Sequence, residues 1–229
     1  MLSEVSSTSP AVELAGIARR FGSRWVLKGT DLVVGRGETI ALLGKNGSGK
    51  TTLLRIMATL LRPTRGAGTV FGHRLSGDED AIRGRVGLLG HTNAIYPDLT
   101  AAENLGFTLR MLGRSFDPRS VNVALTAVGL GAHANSRTRG FSAGMQRRLA
   151  LARLRVLEPN LLLLDEPYSS LDPEGAEIVT AMLGDVRSQG GAAIVITHDT
   201  RRAEEIADRV IALDDGRIVP WTPGVLVPE

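Results

Sequence analysis

The sequence predicts an α/β fold built on a mainly parallel sheet, with a helical subdomain inserted into it. Three observations predict it. Short apolar runs at residues 39–43, 86–89, 161–164, 192–197 and 210–213 have the length of strands. They lack the alternation of a half-exposed sheet, so they read as strands buried on both faces. Helical patterns at residues 50–60, 173–189 and 201–208 alternate with them, and that order puts helices over both faces of a parallel sheet. Residues about 98–155 carry helical patterning with no strand between, which marks the inserted subdomain. The organisation expected is a flexible lead over residues 1–10, one domain over 11–219, and an irregular tail over 220–229 that holds three prolines.

Each part has a reason in composition. A chain of 229 residues with 43% hydrophobic and 22% charged positions can bury one full core. Cysteine is absent, which excludes a disulfide framework and a thiolate metal site. Net charge is only +3, Lys occurs only at Lys28, Lys45 and Lys50, and charges alternate in sign along the chain. No basic block stands out, so nucleic acid is not expected as a partner. No apolar stretch approaches the roughly 20 residues that span a bilayer, and the Ser/Thr-rich start lacks the apolar core of a signal peptide. Any link to a membrane is expected to run through a partner.

The first apolar run, 39–43, feeds Gly44-Lys45-Asn46-Gly47-Ser48-Gly49-Lys50-Thr51, followed by Thr52 and a helix. Two glycines, a lysine and a hydroxyl at this spacing, between strand and helix, form a phosphate loop. Glycines let the backbone wrap an anion with its N–H groups pointing inward, and the positive end of the helix faces that anion. Lys50 is expected to reach the β- and γ-phosphates of ATP, and the Thr51 hydroxyl to ligate Mg²⁺. The run Leu161-Leu162-Leu163-Leu164 ends in Asp165-Glu166. Ligands bind at the carboxyl ends of parallel strands. Asp165 is therefore placed to hold Mg²⁺ through water, and Glu166 to act as general base on the attacking water.

Phe141-Ser142-Ala143-Gly144-Met145 stands shortly before those carboxylates. Ser142 is a good N-cap for the helix that follows, and its hydroxyl with the N–H groups of Ala143 and Gly144 makes a second anion site. This stretch resembles the Leu-Ser-Gly-Gly-Gln signature of ABC (ATP-binding cassette) ATPases. Ser170-Leu171-Asp172 is similar to the family's D-loop, His198 in Ile196-Thr197-His198-Asp199 to its switch histidine, and Phe21 to an aromatic that stacks on adenine. The resemblance covers residues 11–219. It implies a P-loop NTPase with an antiparallel β portion beside the parallel core. It also implies that His198 steadies the γ-phosphate, and that Ser142, Ala143 and Gly144 close over ATP held by a second copy or a second ABC subunit. Membrane-spanning permease subunits are implied as partners, with the chain peripheral on the cytoplasmic face of the cell membrane.

The chain departs from the family pattern in places. His91 stands where the family has the Q-loop glutamine, and it is expected at Mg²⁺ or its water. Phe141, Ala143 and Met145 replace Leu, Gly and Gln in the signature, and Met145 offers no amide. Gly90-His91, the Leu99-Thr100-Ala101-Ala102-Glu103-Asn104-Leu105 run and Ser142-Ala143 through Arg147-Arg148 resemble the haem-exporter ATP-binding subunits of cytochrome c maturation. The alternatives are export of a drug, lipid or polysaccharide, and a soluble ABC ATPase. Residues 91–104 are expected to receive a permease helix, with Ile95 and Tyr96 as anchors.

Overall fold

The computed structural model describes residues 9–222. In chain order the elements are β1 (Val12–Phe21), β2 (Arg24–Val34), β3 (Thr39–Leu43), α1 (Lys50–Met57), β4 (Arg65–Val70), β5 (His73–Arg74), α2 (Glu79–Arg83), β6 (Val86–Leu89), α3 (Ala101–Met111), α4 (Pro118–Thr126), α5 (Ala143–Leu157), β7 (Leu161–Asp165), α6 (Pro173–Ser188), β8 (Ala192–Ile196), α7 (Thr200–Ile206), β9 (Arg209–Asp214) and β10 (Arg217–Pro220). One sheet runs β10-β9-β3-β8-β7-β6 and is parallel except at β10. The second runs β2-β1-β4-β5 and is antiparallel throughout.

The apolar runs became strands because both their faces are covered. Every residue of β3, β7 and β8 is buried. Successive side chains leave a strand on opposite faces, and the two faces feed two cores. Ile40, Leu42, Leu161, Leu163 and Ile194 join α1 and the antiparallel sheet. Leu162, Leu164, Ala193 and Val195 join α5, α6 and the helices of the inserted subdomain. Helix α1 stops at Met57, short of the expected residue 60, because Thr59 turns left-handed (φ 56°) and Leu60 N–H donates back to Arg55 O at 2.9 Å.

The antiparallel sheet is patterned less plainly. Register shifts interrupt β1 around Gly16, whose N–H donates to Asp31 Oδ1 at 2.7 Å. Such bulges break the period-2 alternation that marks a half-buried strand. At the C-terminus, Pro220 ends β10 opposite Ile211, and Trp221 packs partly buried against Ala41 and Leu43. The irregular tail was expected to begin at residue 220; Pro is tolerated here because β10 is an edge strand. Ser9 O, within the expected lead, accepts from Arg36 Nε at 3.0 Å. The remainder of the expected lead and tail lies outside the described residues.

Helices α3, α4 and α5 form the inserted subdomain between β6 and β7. Helix α3 opens with a capping box, Thr100 Oγ1 accepting from Glu103 N and Glu103 Oε2 from Thr100 N. Just inside it, buried Asn104 holds the preceding segment: its Oδ1 accepts from Tyr96 N at 2.8 Å, and its amide donates to Tyr96 O at 3.1 Å and Thr100 O at 2.9 Å. Removing that side chain strands Tyr96 N, whereas Tyr96 O keeps Thr138 Oγ1 at 2.9 Å and Leu99 N at 3.2 Å. Asn104→Ala is expected to lower stability by about 1–3 kcal/mol, read as a shift of the urea midpoint at unchanged slope.

Candidate active site

The carboxyl ends of β3, β6, β7 and β8 meet along one edge of the sheet, and a cavity of about 360 Å³ opens there. The phosphate loop enters it from β3. Gly44 (φ 144°) passes so close to the Leu213 carbonyl that a Cβ would strike it, and Gly49 (φ 110°) would place a Cβ 2.9 Å from the Leu27 side chain. Gly49 is the N-cap of α1 and supplies no side-chain cap. The first N–H groups of α1 therefore have no side-chain acceptor from the cap, and they belong to residues that line the cavity, Lys50, Thr51 and Thr52. Asn46, Gly47 and Gly49 line it as well, whereas Gly44, Lys45 and Ser48 do not.

Lys50 is buried, and its Nζ folds back to donate to Gly44 O at 2.5 Å and Lys45 O at 2.8 Å. Burial lowers its pKa, against the opposing pull of Asp165 and Glu166. Thr51 Oγ1 donates to Asp165 Oδ2 at 2.6 Å, and His91 Nε2 lies 3.4 Å from the same oxygen. The three expected metal-site residues thus come together. The hydroxyl and the carboxylate are oxygen donors of the kind Mg²⁺ takes, whereas the imidazole at the rim is not and would meet the ion's shell through water. Among the described residues no group of three or more His, Cys, Asp and Glu could hold an ion unaided. Water and phosphate oxygens would complete the shell, as Mg²⁺ prefers.

Glu166 occupies a left-handed backbone conformation (φ 48°) just past β7. Its Oε1 is buried without a hydrogen-bond partner; His198 Nε2 is 3.3 Å away but poorly aligned to donate. Burial raises the pKa of this carboxyl, and the nearby His198 pulls it back down. A half-buried carboxylate with an unsatisfied oxygen, lining the same cavity as Lys50 and Thr51, is a group set to accept a proton or a water hydrogen bond.

Other expected site residues lie apart. Phe21 closes the β1–β2 hairpin, 46% exposed, with the Arg19 guanidinium 4.6 Å over its ring. It does not line the cavity, but Arg24 and Val26 across the hairpin do. Ser142 caps α5, accepting from Met145 N at 3.2 Å, and Ala143 and Gly144 begin that helix. None of the three lines the cavity. Gly144 packs instead beside the Ser170 carbonyl, where a Cβ would come within 3.2 Å. Arg148 ties the same helix to Asp172 (2.7 Å) and Glu174 (2.9 Å). The capped start of α5 is therefore separate from the Lys50 cavity.

Two residues at the site were given no role there by the sequence. Arg24 lines the cavity from the antiparallel sheet. Arg147, which entered the sequence reading only as part of the haem-exporter resemblance, is only 3% exposed and reaches the backbone of Asp165 and Glu166.

Residues 27–169 match the family model described as ABC transporter. The chain is 39% identical over 189 residues to the cytochrome c biogenesis ATP-binding export protein CcmA of Cupriavidus necator, covering 82% of this chain and 83% of that protein. It is 38% identical to the spermidine/putrescine import ATP-binding protein PotA of Nitratidesulfovibrio vulgaris, covering 90% of this chain but only 57% of the relative's length. It is 36% identical to the daunorubicin resistance ATP-binding protein DrrA3 of Streptomyces coeruleorubidus, covering 91% of this chain and 67% of the relative. Among solved structures, an ATP-binding subunit of an ABC transporter superposes with a TM-score of 0.84 at 28% identity, covering 91% of this chain and 88% of that one. A dimeric ATP-binding cassette in a post-hydrolysis state bound to ADP and Pi gives 0.82 at 27% identity, covering 90% and 96%. With the phosphate loop, the paired carboxylates and the capped signature helix in one α/β frame, the chain belongs to the ABC transporter family and is its Mg²⁺-dependent ATP-binding and hydrolysing cassette.

Proposed function

We propose that the chain hydrolyses ATP as one of two cassettes arranged head to tail, and that the pair powers a membrane complex exporting or handling haem for c-type cytochrome biogenesis. The observation that carries the ATPase reading is the unsatisfied Glu166 Oε1 beside the cavity in which Lys50 and Thr51 converge. Mg²⁺ bound near Thr51 and Asp165 supplies charge neutralisation for the phosphates. Lys50 binds the β- and γ-phosphates, leaving its present carbonyl partners. Glu166 takes the proton of the attacking water, and His198, whose Nε2 is 3.3 Å from Glu166 Oε1, steadies the γ-phosphate. His91 is at hydrogen-bond range of the Asp165 carboxylate and orients water there. Ser142, Ala143 and Gly144 do not line this cavity and serve the nucleotide held by the other cassette, so the pair is the active unit. Phe21 provides a face for the adenine once Arg19 moves off it.

Support for haem handling comes from length as well as identity. Of the three relatives described, CcmA is the one whose own length this chain matches most fully, at 83% against 57% and 67%. His91 and Ala143 fit the same resemblance. We place the cassette at the cytoplasmic face of the membrane, held there by permease subunits. No helix among the described residues is long and apolar enough to cross a bilayer. Tyr96 is half exposed with its ring edge-on to Phe107 at 4.6 Å, whereas Ile95 is packed into the subdomain core. Only Tyr96 is therefore offered as an anchor for a permease helix.

Four experiments test this reading. Glu166→Gln keeps size and hydrogen bonding but cannot take the proton. It is expected to retain ATP affinity while losing about 10²–10⁴-fold in turnover, and ATP is expected to trap it as a dimer on size-exclusion chromatography. Lys50→Ala is expected to weaken ATP binding itself. Wild-type turnover by Glu166→Gln means another group is the base. Tyr96→Asp is expected to abolish co-purification with permease subunits from detergent-solubilised membranes while ATP binding persists; undiminished recovery rules the anchor out. Deleting the gene from its host is expected to remove covalent haem from c-type cytochromes, seen by haem-stained gels of membranes. Normal staining with a new drug sensitivity would assign the cassette to drug export instead.

A further inference from the structure

Arg147 lies one turn into α5, and its guanidinium is buried, with no carboxylate in ion-pair range among the described residues. All five of its N–H groups nevertheless find acceptors, and every acceptor is a different atom. Nη1 donates to Gly90 O at 2.8 Å and Asn93 Oδ1 at 3.3 Å; Nη2 donates to Asp165 O at 2.9 Å and Glu166 O at 2.5 Å; Nε donates to Pro167 O at 3.4 Å. Burying a guanidinium is unfavourable, and Asp165 and Glu166 oppose the loss of its proton that burial favours. Simple space-filling at this point would be met by a neutral side chain of similar volume.

The acceptors fall into two sets. Gly90 and Asn93 flank His91, whereas Asp165, Glu166 and Pro167 bracket Glu166. Glu166 is a non-glycine residue at φ 48°, a conformation that costs about 1–2 kcal/mol. Its carbonyl is held from three directions, by Arg147 Nη2, by Ser169 Oγ at 2.9 Å and by Ser169 N at 3.2 Å. We infer that Arg147 is a positioning residue, clamping the backbone of Glu166 and the backbone around His91 in one fixed relation so that both side chains face the same cavity. The inference rests on Glu166 being the base. Arg147 does not line the cavity and acts only through the residues it holds.

The test uses the full chain carrying Arg147→Gln, Arg147→Lys, Glu166→Gln and the Arg147→Gln/Glu166→Gln pair. ATP affinity, single-turnover hydrolysis and the thermal unfolding midpoint are measured for each. Glutamine offers two donors and lysine three from one point, against five in a planar fork. Arg147→Gln is expected to bind ATP within about threefold of wild type while hydrolysis falls about 10²-fold, the size of effect that a small misplacement of a reacting group produces. Arg147→Lys is expected to fall between, and it carries the comparison should the glutamine variant fail to fold. In the Glu166→Gln background, Arg147→Gln is expected to add no further loss, because both changes remove the same step. Wild-type hydrolysis by Arg147→Gln beside an inactive Glu166→Gln overturns the clamp alone. Additive losses, or loss of ATP affinity in step with a lowered unfolding midpoint, reduce Arg147 to a packing residue and also overturn it. Wild-type hydrolysis by Glu166→Gln overturns the base assignment and the clamp with it.

Discussion

The contact on which the site depends is the 2.6 Å bond from Thr51 Oγ1 to Asp165 Oδ2. The two residues lie 114 positions apart, one at the start of α1 and the other at the end of β7. They meet because parallel strands deliver all their carboxyl ends to one edge. β8 stands between β3 and β7 in the sheet, and it brings His198 to the same edge; β6, on the far side of β7, brings His91. A parallel sheet needs a crossover for each strand, and each crossover here begins where its strand reaches the cavity. The phosphate loop, the paired carboxylates and the two histidines are the first residues of four such connections.

Charge follows from that crowding. Two carboxylates share the edge with a buried lysine on one side and a buried guanidinium on the other. Lys50 is bonded to carbonyl oxygens alone, so its charge can be redirected to an incoming phosphate without breaking an ion pair. Arg147 is committed to five acceptors and cannot be redirected. One cation is free to meet the substrate while the other is part of the frame. The signature helix carries that second cation, and its capped start lies apart from the Lys50 cavity.

Strands buried on both faces were legible in the sequence, since Leu161 to Leu164 or Ala192 to Ile196 permit few other readings. The motifs were legible for a different reason: backbone geometry at Gly44 and Gly49 admits only glycine, and that requirement is written in residue type. The antiparallel sheet was legible only through the family resemblance and not from the residues themselves. β1 and β2 mix Arg19, Arg20, Lys28 and Asp31 with apolar positions, and the bulge at Gly16 shifts the alternation midway. Arg147 was hidden by its type, because arginine on a helix is ordinarily solvated and nothing local records that its tip passes under β7. Trp221 was hidden in the same manner beyond Pro220, where the edge position that tolerates proline also carries the chain back onto the core.

Glu166 has a consequence for how such a chain changes over generations. Its backbone sits where glycine or asparagine is more comfortable than glutamate. Substitution by glycine would relax the turn by about 1 kcal/mol while deleting the carboxylate, so selection for folding and selection for turnover pull this position apart. A copy of the gene released from the need to hydrolyse ATP would gain stability by losing this residue early, and it would keep Lys50 and the phosphate loop intact. Paired cassettes in which one member binds nucleotide without turning it over are then a favoured product of duplication and drift, reached by a downhill step at a single codon.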